Sequence, residues 1–265
     1  MTDQLPADVQ RQAVRQRYAG VAERTEGRCG CSEGRTSCCG TPDAQDTSRQ
    51  LGYSEDELTA VPEGANMGLG CGNPQAIAAL RPGEVVIDLG SGGGFDCFLA
   101  ARRVGAMGRV IGVDMTPEMI SKARANAAEG GYANTEFRLG EIEALPVADG
   151  IADVIISNCV INLSPEKPRV FREAFRVLKP GGRLAISDVV ALTEMPAEVR
   201  EDMALLSGCI SGASTVENTE SMLRAAGFSS VTIAVNEQSR EYIREWAPGR
   251  GIENYVASAI IEAVK

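Results

Sequence analysis

Histidine is entirely absent from the 265-residue chain. The commonest general base and the commonest transition-metal ligand are both missing, so any chemistry here proceeds without imidazole. Positive charge is also scarce: 26 Lys and Arg stand against 36 Asp and Glu, a formal charge of −10. Nucleic-acid binding depends on clustered cations that displace phosphate counterions, which argues against a nucleic-acid partner and favours a small or uncharged substrate. No apolar run approaches the ~20 residues that span a bilayer, and MTDQLPADVQ at the N-terminus has neither the basic nor the apolar region of a leader. The chain reads as soluble and cytoplasmic, with no membrane partner, and as a monomer. It shows no internal repeat and no long low-complexity segment.

Cysteine, by contrast, is plentiful: Cys29, Cys31, Cys38, Cys39, Cys71, Cys97, Cys159 and Cys209 make eight. Cytosolic disulfides are rare outside catalytic, redox or metal roles, so these thiols call for a function. The spacing of the first four, C-x-C-x6-C-C, is unlike the paired C-x2-C knuckles of a zinc site. Cys97, within FDCFLAA, reads as a core residue, because free cysteine is among the most buried residue types.

The length fits one α/β domain with an appended segment. AVRQRYAGVAER reads as an amphipathic helix, residues 27–50 as a mobile Gly, Ser, Thr, Asp and Cys-rich loop, and Ser54 to Glu57 as a capping box opening a short helix. Asn73-Pro74 opens a helix through Leu80, and between these helices MGLGCGNP carries Cys71 on a glycine-rich loop. From Glu84 strands and helices alternate: VVIDLG, FDCFLAARRV, RVIGVD, a helix from Pro117, TEFRLG, ADVIISN, the helix PEKPRVFREAFRVLK, then RLAISDVV. Such alternation implies a parallel sheet covered by helices on both faces. Helices near 196–208 and 217–226, a strand SVTIAV, a short helix at SREYIREW and a last strand ENYVASAIIEAV follow.

The first strand runs into Asp88-Leu89-Gly90-Ser91-Gly92-Gly93-Gly94 and then a helix, a loop whose bare glycines let a ligand approach at the strand's carboxyl end. Its G-x-G-x-G spacing departs from the dinucleotide G-x-G-x-x-G, with Phe95 in the place of the third glycine, which points away from NAD. Asp114 ends strand two, where a carboxylate accepts both ribose hydroxyls, and Met115 beside it covers an adenine face. Asn158, at the end of strand four, reads as a contact to the cofactor backbone, and Asp188 as either a cleft residue or a cap.

DLGSGGG, then GVD, then LKPGG resembles the class I S-adenosylmethionine methyltransferases over roughly residues 75–240. The resemblance implies a Rossmann-like, mostly parallel seven-stranded sheet with helices on both faces and a C-terminal antiparallel hairpin. It implies S-adenosylmethionine as cofactor, held by Asp88, Gly90, Ser91, Gly92, Gly94, Asp114 and Met115, with Glu141 and Ile142 of the loop after strand three at the adenine. The domain boundaries this suggests are 1–72 for an N-terminal helix and Cys-rich segment contributing to the substrate site, 73–240 for the cofactor-binding core, and 241–265 for a helix and strand completing the sheet.

GLGCGNP, SNCVINLS, ISDVV and GCISGA narrow the likeness to the arsenite methyltransferases. That likeness implies Cys71, Cys159 and Cys209 as ligands of trivalent arsenic and Cys38 or Cys39 as a partner in disulfide exchange. It implies arsenite or its glutathione adduct as substrate and thioredoxin or glutathione as reductant. Arsenic(III) is soft and prefers sulfur, and three thiolates leave it a lone pair that serves as the nucleophile, so no imidazole is required. Two rivals stand beside this reading: a C- or O-methyltransferase of quinones, sterols or similar small molecules, which needs no thiols, and a non-catalytic protein that sequesters arsenic.

Overall fold

The computed structural model describes residues 7–24, 44–200, 202–206 and 208–265. Cys29, Cys31, Cys38 and Cys39 lie outside the described residues. Seven strands form one sheet: β1 (Val85–Leu89), β2 (Arg109–Asp114), β3 (Thr135–Leu139), β4 (Ala152–Asn158), β5 (Leu178–Ala191), β6 (Ser229–Asn236) and β7 (Val256–Val264). Their order is β3-β2-β1-β4-β5-β7-β6. The first five run parallel, and β7 inserts antiparallel to both β5 and β6.

The apolar runs become central strands because both of their faces are covered. Ile87, Leu89, Ile111 and Ile155 point to one side, where α7 (Lys167–Val177) contributes Val170 and Phe171 and α10 (Val216–Ala226) contributes Leu223. Val86, Val110, Val154 and Ile156, one position out of phase, point to the other, against Cys97, Phe98 and Val104 of α5 (Phe95–Val104) and Ile120 of α6 (Pro117–Gly130). The sequence order of the strands reverses between β1 and β4, the switch point at which open α/β sheets bind ligands.

Ahead of the sheet lie α1 (Ala7–Arg24), α2 (Ala44–Gln50), α3 (Glu55–Thr59) and α4 (Gln75–Ala78). The expected capping box is present, with Ser54 and Glu57 bonded reciprocally. Three local expectations are corrected. Residues 44–50, read as part of a loop, form α2. The helix expected over 196–208 is two short ones, α8 (Ala197–Arg200) and α9 (Met203–Leu206), because Asp202 caps the second by accepting from the Ala204 and Leu205 N–H groups. Finally, α7 stops at Val177 and β5 begins at Leu178, so LKPGG belongs to the strand. There β4 advances from Ala152 to Val154 while β5 advances from Leu178 to Arg183, an irregularity in which Gly181 takes φ 78°. After α10, α11 (Arg240–Ile243) packs beside the start of β7.

Candidate active site

A cleft of about 580 Å³ opens at the carboxyl ends of β1, β2 and β4. Gly90, Gly92, Asp114, Met115, Thr116, Gly140, Ile142 and Val160 line one part of it. Gly90 adopts φ 70°, and a β-carbon there would collide with Val160, so the turn after β1 is closed to other residues. Asp114 is held in place by its neighbours, its Oδ2 accepting from the Gly92 N–H at 3.0 Å and its Oδ1 from the Thr116 N–H at 2.8 Å. Burial raises its carboxyl above the usual range, opposed by these same bonds. Ser91 is buried, its side chain packs against Gly112 of β2 rather than lining the cleft, and among the described residues its hydroxyl has no partner.

Several residues expected at the cofactor sit elsewhere. Asp88 lies beneath the loop, accepting the Cys97 Sγ–H at 3.2 Å. Gly94 is the left-handed cap of α5, packed against Phe98 and Phe137. Neither lines the cleft. Glu141 does not line it either, since Arg15 bonds its carboxylate and Arg11 lies 3.5 Å away, whereas the adjacent Ile142 and Glu143 do line it. Asn158 borders the cleft, but its amide is engaged by the Cys71 loop and by Tyr53. Its Oδ1 accepts from the Cys71 N–H at 3.0 Å, and its Nδ2 donates to the Gly72 carbonyl at 2.8 Å and the Tyr53 hydroxyl at 3.0 Å. Tyr53 in turn donates to Asp96 at 2.8 Å. The approach is tight: a β-carbon on Gly70 would stand 2.8 Å from the Asn158 amide.

The three cysteines named as arsenic ligands converge beside this cleft. Cys71 is fully buried, its carbonyl accepting from Ser258 Oγ at 2.7 Å and Tyr242 Oη at 2.9 Å, so its loop is fixed from both sides. Cys159 follows β4 with φ 58°, and Cys209 follows α9 with φ 64°. Left-handed backbone is strained for any residue with a β-carbon, and strain of this kind collects at functional sites. Cys209 Sγ donates to the Cys159 carbonyl at 2.6 Å, and the Cys71 and Cys159 sulfurs lie within 4.8 Å of each other. Both Cys159 and Cys209 line the cleft, with Cys71 immediately behind Gly70. Burial pushes Cys71 up to about 11 and Cys159 well above the usual thiol range. These groups stay protonated at neutral pH until a soft electrophile takes the place of the proton.

Asp188, toward the far end of β5, is buried behind the cleft rather than lining it and serves as a cap for the turn at Ile161. It accepts from the Ile161 N–H at 2.9 Å, Asn162 Nδ2 at 2.9 Å and its neighbour Val189 N–H at 2.7 Å. A carboxylate oxygen of Asp188 and the sulfurs of Cys71 and Cys159 lie within 4.8 Å of one another. Burial pushes Asp188 up to about 6, opposed by those bonds and by Lys167. Lys167 donates to the Gly212 carbonyl and, at 2.9 Å, to Ser214 Oγ, tying down the segment after Cys209.

Sequence reasoning does not find the roof of the cleft. Arg11, Val14, Arg17 and Tyr18 of α1 line it. Arg11, only 10% exposed in its side chain, is 2.5 Å from Glu166 and 3.4 Å from the buried Glu143. No pattern in α1 says where it docks; only the acidic residues after β3 hint at a basic partner. Burial lifts the Tyr18 hydroxyl well above its ordinary value, reinforced by Cys209 and Cys159. Trp246 and Arg250 close the remaining side.

Comparison with known proteins agrees with this geometry. A family model described as a methyltransferase domain matches residues 80–227. The chain is 54% identical to the arsenite methyltransferase of Halobacterium salinarum over 96% of its own length and 66% of that protein's. It is 42% identical to human arsenite methyltransferase over 48% of this chain and 36% of that one. The crystal structure of an arsenic(III) S-adenosylmethionine methyltransferase from Chlamydomonas reinhardtii superposes with a TM-score of 0.62 at 34% identity, covering 84% of this chain and 74% of that one. The chain spans about two thirds or less of the length of these curated arsenite methyltransferases. On the matched domain and this structural likeness, the chain belongs to the class I S-adenosylmethionine methyltransferase family, in its arsenic(III) branch.

Proposed function

We propose that this chain methylates trivalent arsenic held by the thiolates of Cys71, Cys159 and Cys209. The observation that carries the reading is the convergence of three buried, free cysteines from three separate segments beside the cofactor cleft, two of them on strained backbone.

The cleft fits S-adenosylmethionine in size and in donor set. Gly90 and Gly92 would let it approach the backbone, and the Asp114 carboxylate, held at the cleft by the Gly92 and Thr116 N–H groups, would take the ribose hydroxyls. Met115, Ile142 and Val160 would flank the adenine. When bound, the cofactor supplies an electrophilic methyl group on a sulfonium. The protein's own part is to hold the acceptor at a fixed place and keep water away. Asn158 serves here by clamping the Cys71 loop, and α1 by roofing the cleft, so the segment 1–72 contributes to the substrate site.

Arsenic enters as arsenite or a glutathione adduct. As each arsenic–sulfur bond forms, the thiol proton leaves on the departing hydroxide as water, or on the departing glutathione thiolate, and no base is consumed. Bound by three thiolates, As(III) keeps a lone pair, so the substrate brings its own nucleophile. Methylation raises arsenic to the pentavalent state; two thiols reduce it back and become a disulfide, with Cys38 or Cys39 as one partner. A cytosolic dithiol such as thioredoxin, or glutathione, reopens that bond by exchange. The test is incubation of the purified chain with arsenite, S-adenosylmethionine and a dithiol, followed by chromatographic separation of arsenic species. Methylated arsenicals are expected, and Cys159→Ser and Cys209→Ser are expected to lose them. Full turnover of an organic acceptor by both variants would overturn the reading.

A further inference from the structure

The buried thiol cluster carries a fourth donor that arsenic chemistry leaves idle, and we infer that Cys71, Cys159, Cys209 and Asp188 together form a site for one thiophilic divalent cation, bound by three sulfurs and one oxygen. Among the described residues, Cys71, Cys159 and Asp188 form the group with metal-ligating proximity, their donor atoms mutually within 4.8 Å. The Cys209 thiol lies outside that group but is next to it, donating to the Cys159 carbonyl at 2.6 Å. In a tetrahedral site with metal–sulfur bonds near 2.3 Å, neighbouring donors are roughly 3.5–3.8 Å apart, so the three grouped donors would draw in from within 4.8 Å and the Cys209 side chain would turn to join them.

Asp188 has a lone pair to give. A carboxylate offers about four acceptor positions. Asn162 Nδ2 and the Val189 N–H use two on Oδ1, and the Ile161 N–H uses one on Oδ2, so a metal ion would take the last position on Oδ2 in competition with the nearby Asn162 N–H. Charge separates the two cargoes. Three thiolates exactly neutralise As(III), which stays pyramidal and leaves the Asp188 charge to Lys167. A divalent ion under three thiolates is a net anion with an unfilled fourth position, and the carboxylate fills it. Lys167, whose charge acts on both Asp188 and Cys209, offsets part of the resulting negative charge. Binding is simple substitution: each metal–sulfur bond replaces an S–H bond, the protons pass to solvent, and no electrons are transferred. Such an ion has no lone pair to methylate, so it occupies the site as a dead end and excludes arsenite. None of this depends on arsenic being the substrate.

Cadmium is the probe, added to the full chain kept reduced with a phosphine and bearing serine at Cys29, Cys31, Cys38 and Cys39. One equivalent of Cd2+ is expected to produce sulfur-to-cadmium charge-transfer absorption, and cadmium-edge X-ray absorption should count three sulfur neighbours and one oxygen. Arsenite added afterwards should not bind. Asp188→Asn should weaken Cd2+ by about tenfold or more while arsenite stoichiometry is kept. Should that variant not fold, the sulfur and oxygen count on the unaltered site decides. No stoichiometric absorption band, a shell of sulfur alone, or arsenite binding alongside cadmium would overturn the assignment. A metal-free sample that neither binds nor methylates arsenite would refute the arsenic reading and leave the cadmium result standing.

Discussion

Replacing Cys159 or Cys209 by alanine and by glycine separates what the thiol does from what the backbone under it endures. Both residues hold left-handed φ, 58° and 64°. The left-handed region costs a residue with a β-carbon about 1–2 kcal/mol and costs glycine nothing. Glycine elsewhere is less stable than alanine by about 0.5–1 kcal/mol, because it has more freedom to lose on folding. Both variants delete the same sulfur, so the difference between them isolates the backbone. At 159 and 209 glycine should therefore be the more stable by about 0.5–1 kcal/mol. Cys97, equally buried but inside α5, is the control, and there alanine should win by about 1 kcal/mol. Urea unfolding of the full chain, read from midpoints at unchanged slope, measures all six variants. If alanine equals or exceeds glycine at both 159 and 209, the cysteines are not strained, and the inference that stability is given up to aim these thiols falls.

Asn158→Ala removes the clamp on the Cys71 loop; we expect a loss of about 2–3 kcal/mol in denaturant unfolding and a larger fall in arsenite affinity than in cofactor affinity. Arg11→Met strands the buried Glu143 carboxylate without its cation and loosens the α1 roof, for about 2–3 kcal/mol of stability and weaker cofactor binding by calorimetry. Burial pushes Asp96 from 3.8 up to about 6. A carboxyl raised in the folded state favours folding fully below its unfolded value and loses that contribution as pH rises through the folded one. Between about pH 4 and 6, wild type should therefore lose about 3 kcal/mol relative to Asp96→Asn, and parallel stability curves would contradict the assignment.

Much of this architecture is legible in the sequence because it rests on patterns with a physical cause. Strands buried on both faces must be continuous apolar runs, so RVIGVD and ADVIISN coincide with β2 and β4. A cysteine directly after β4 must lie at the sheet's binding edge, where Cys159 is found. What the chain does not announce are contacts between distant segments. The Asn158 amide turns toward Cys71 rather than into the cleft because the Gly70–Gly72 backbone and the Tyr53 hydroxyl stand close enough to engage both its oxygen and its nitrogen. Glu141 is drawn away by Arg11 and Arg15, residues on a helix whose docking no local pattern specifies. Asp188 meets the thiols because β5 runs on past the Asn158–Ser187 pairing, a consequence of register that β4 and β5 do not reveal separately. Left-handed φ at two cysteines is equally hidden, since cysteine carries no signal for that conformation.

The central claim is that arsenic receives its methyl group while seated on Cys71, Cys159 and Cys209. A single-turnover reaction tests it most directly, with the chain in excess over arsenite and S-adenosylmethionine labelled in its methyl group. One labelled methyl should appear on arsenic with the unaltered chain and with the variant carrying serine at Cys29, Cys31, Cys38 and Cys39, and none with Cys71→Ser, Cys159→Ser or Cys209→Ser. Label on arsenic in all three of those single variants would contradict the account.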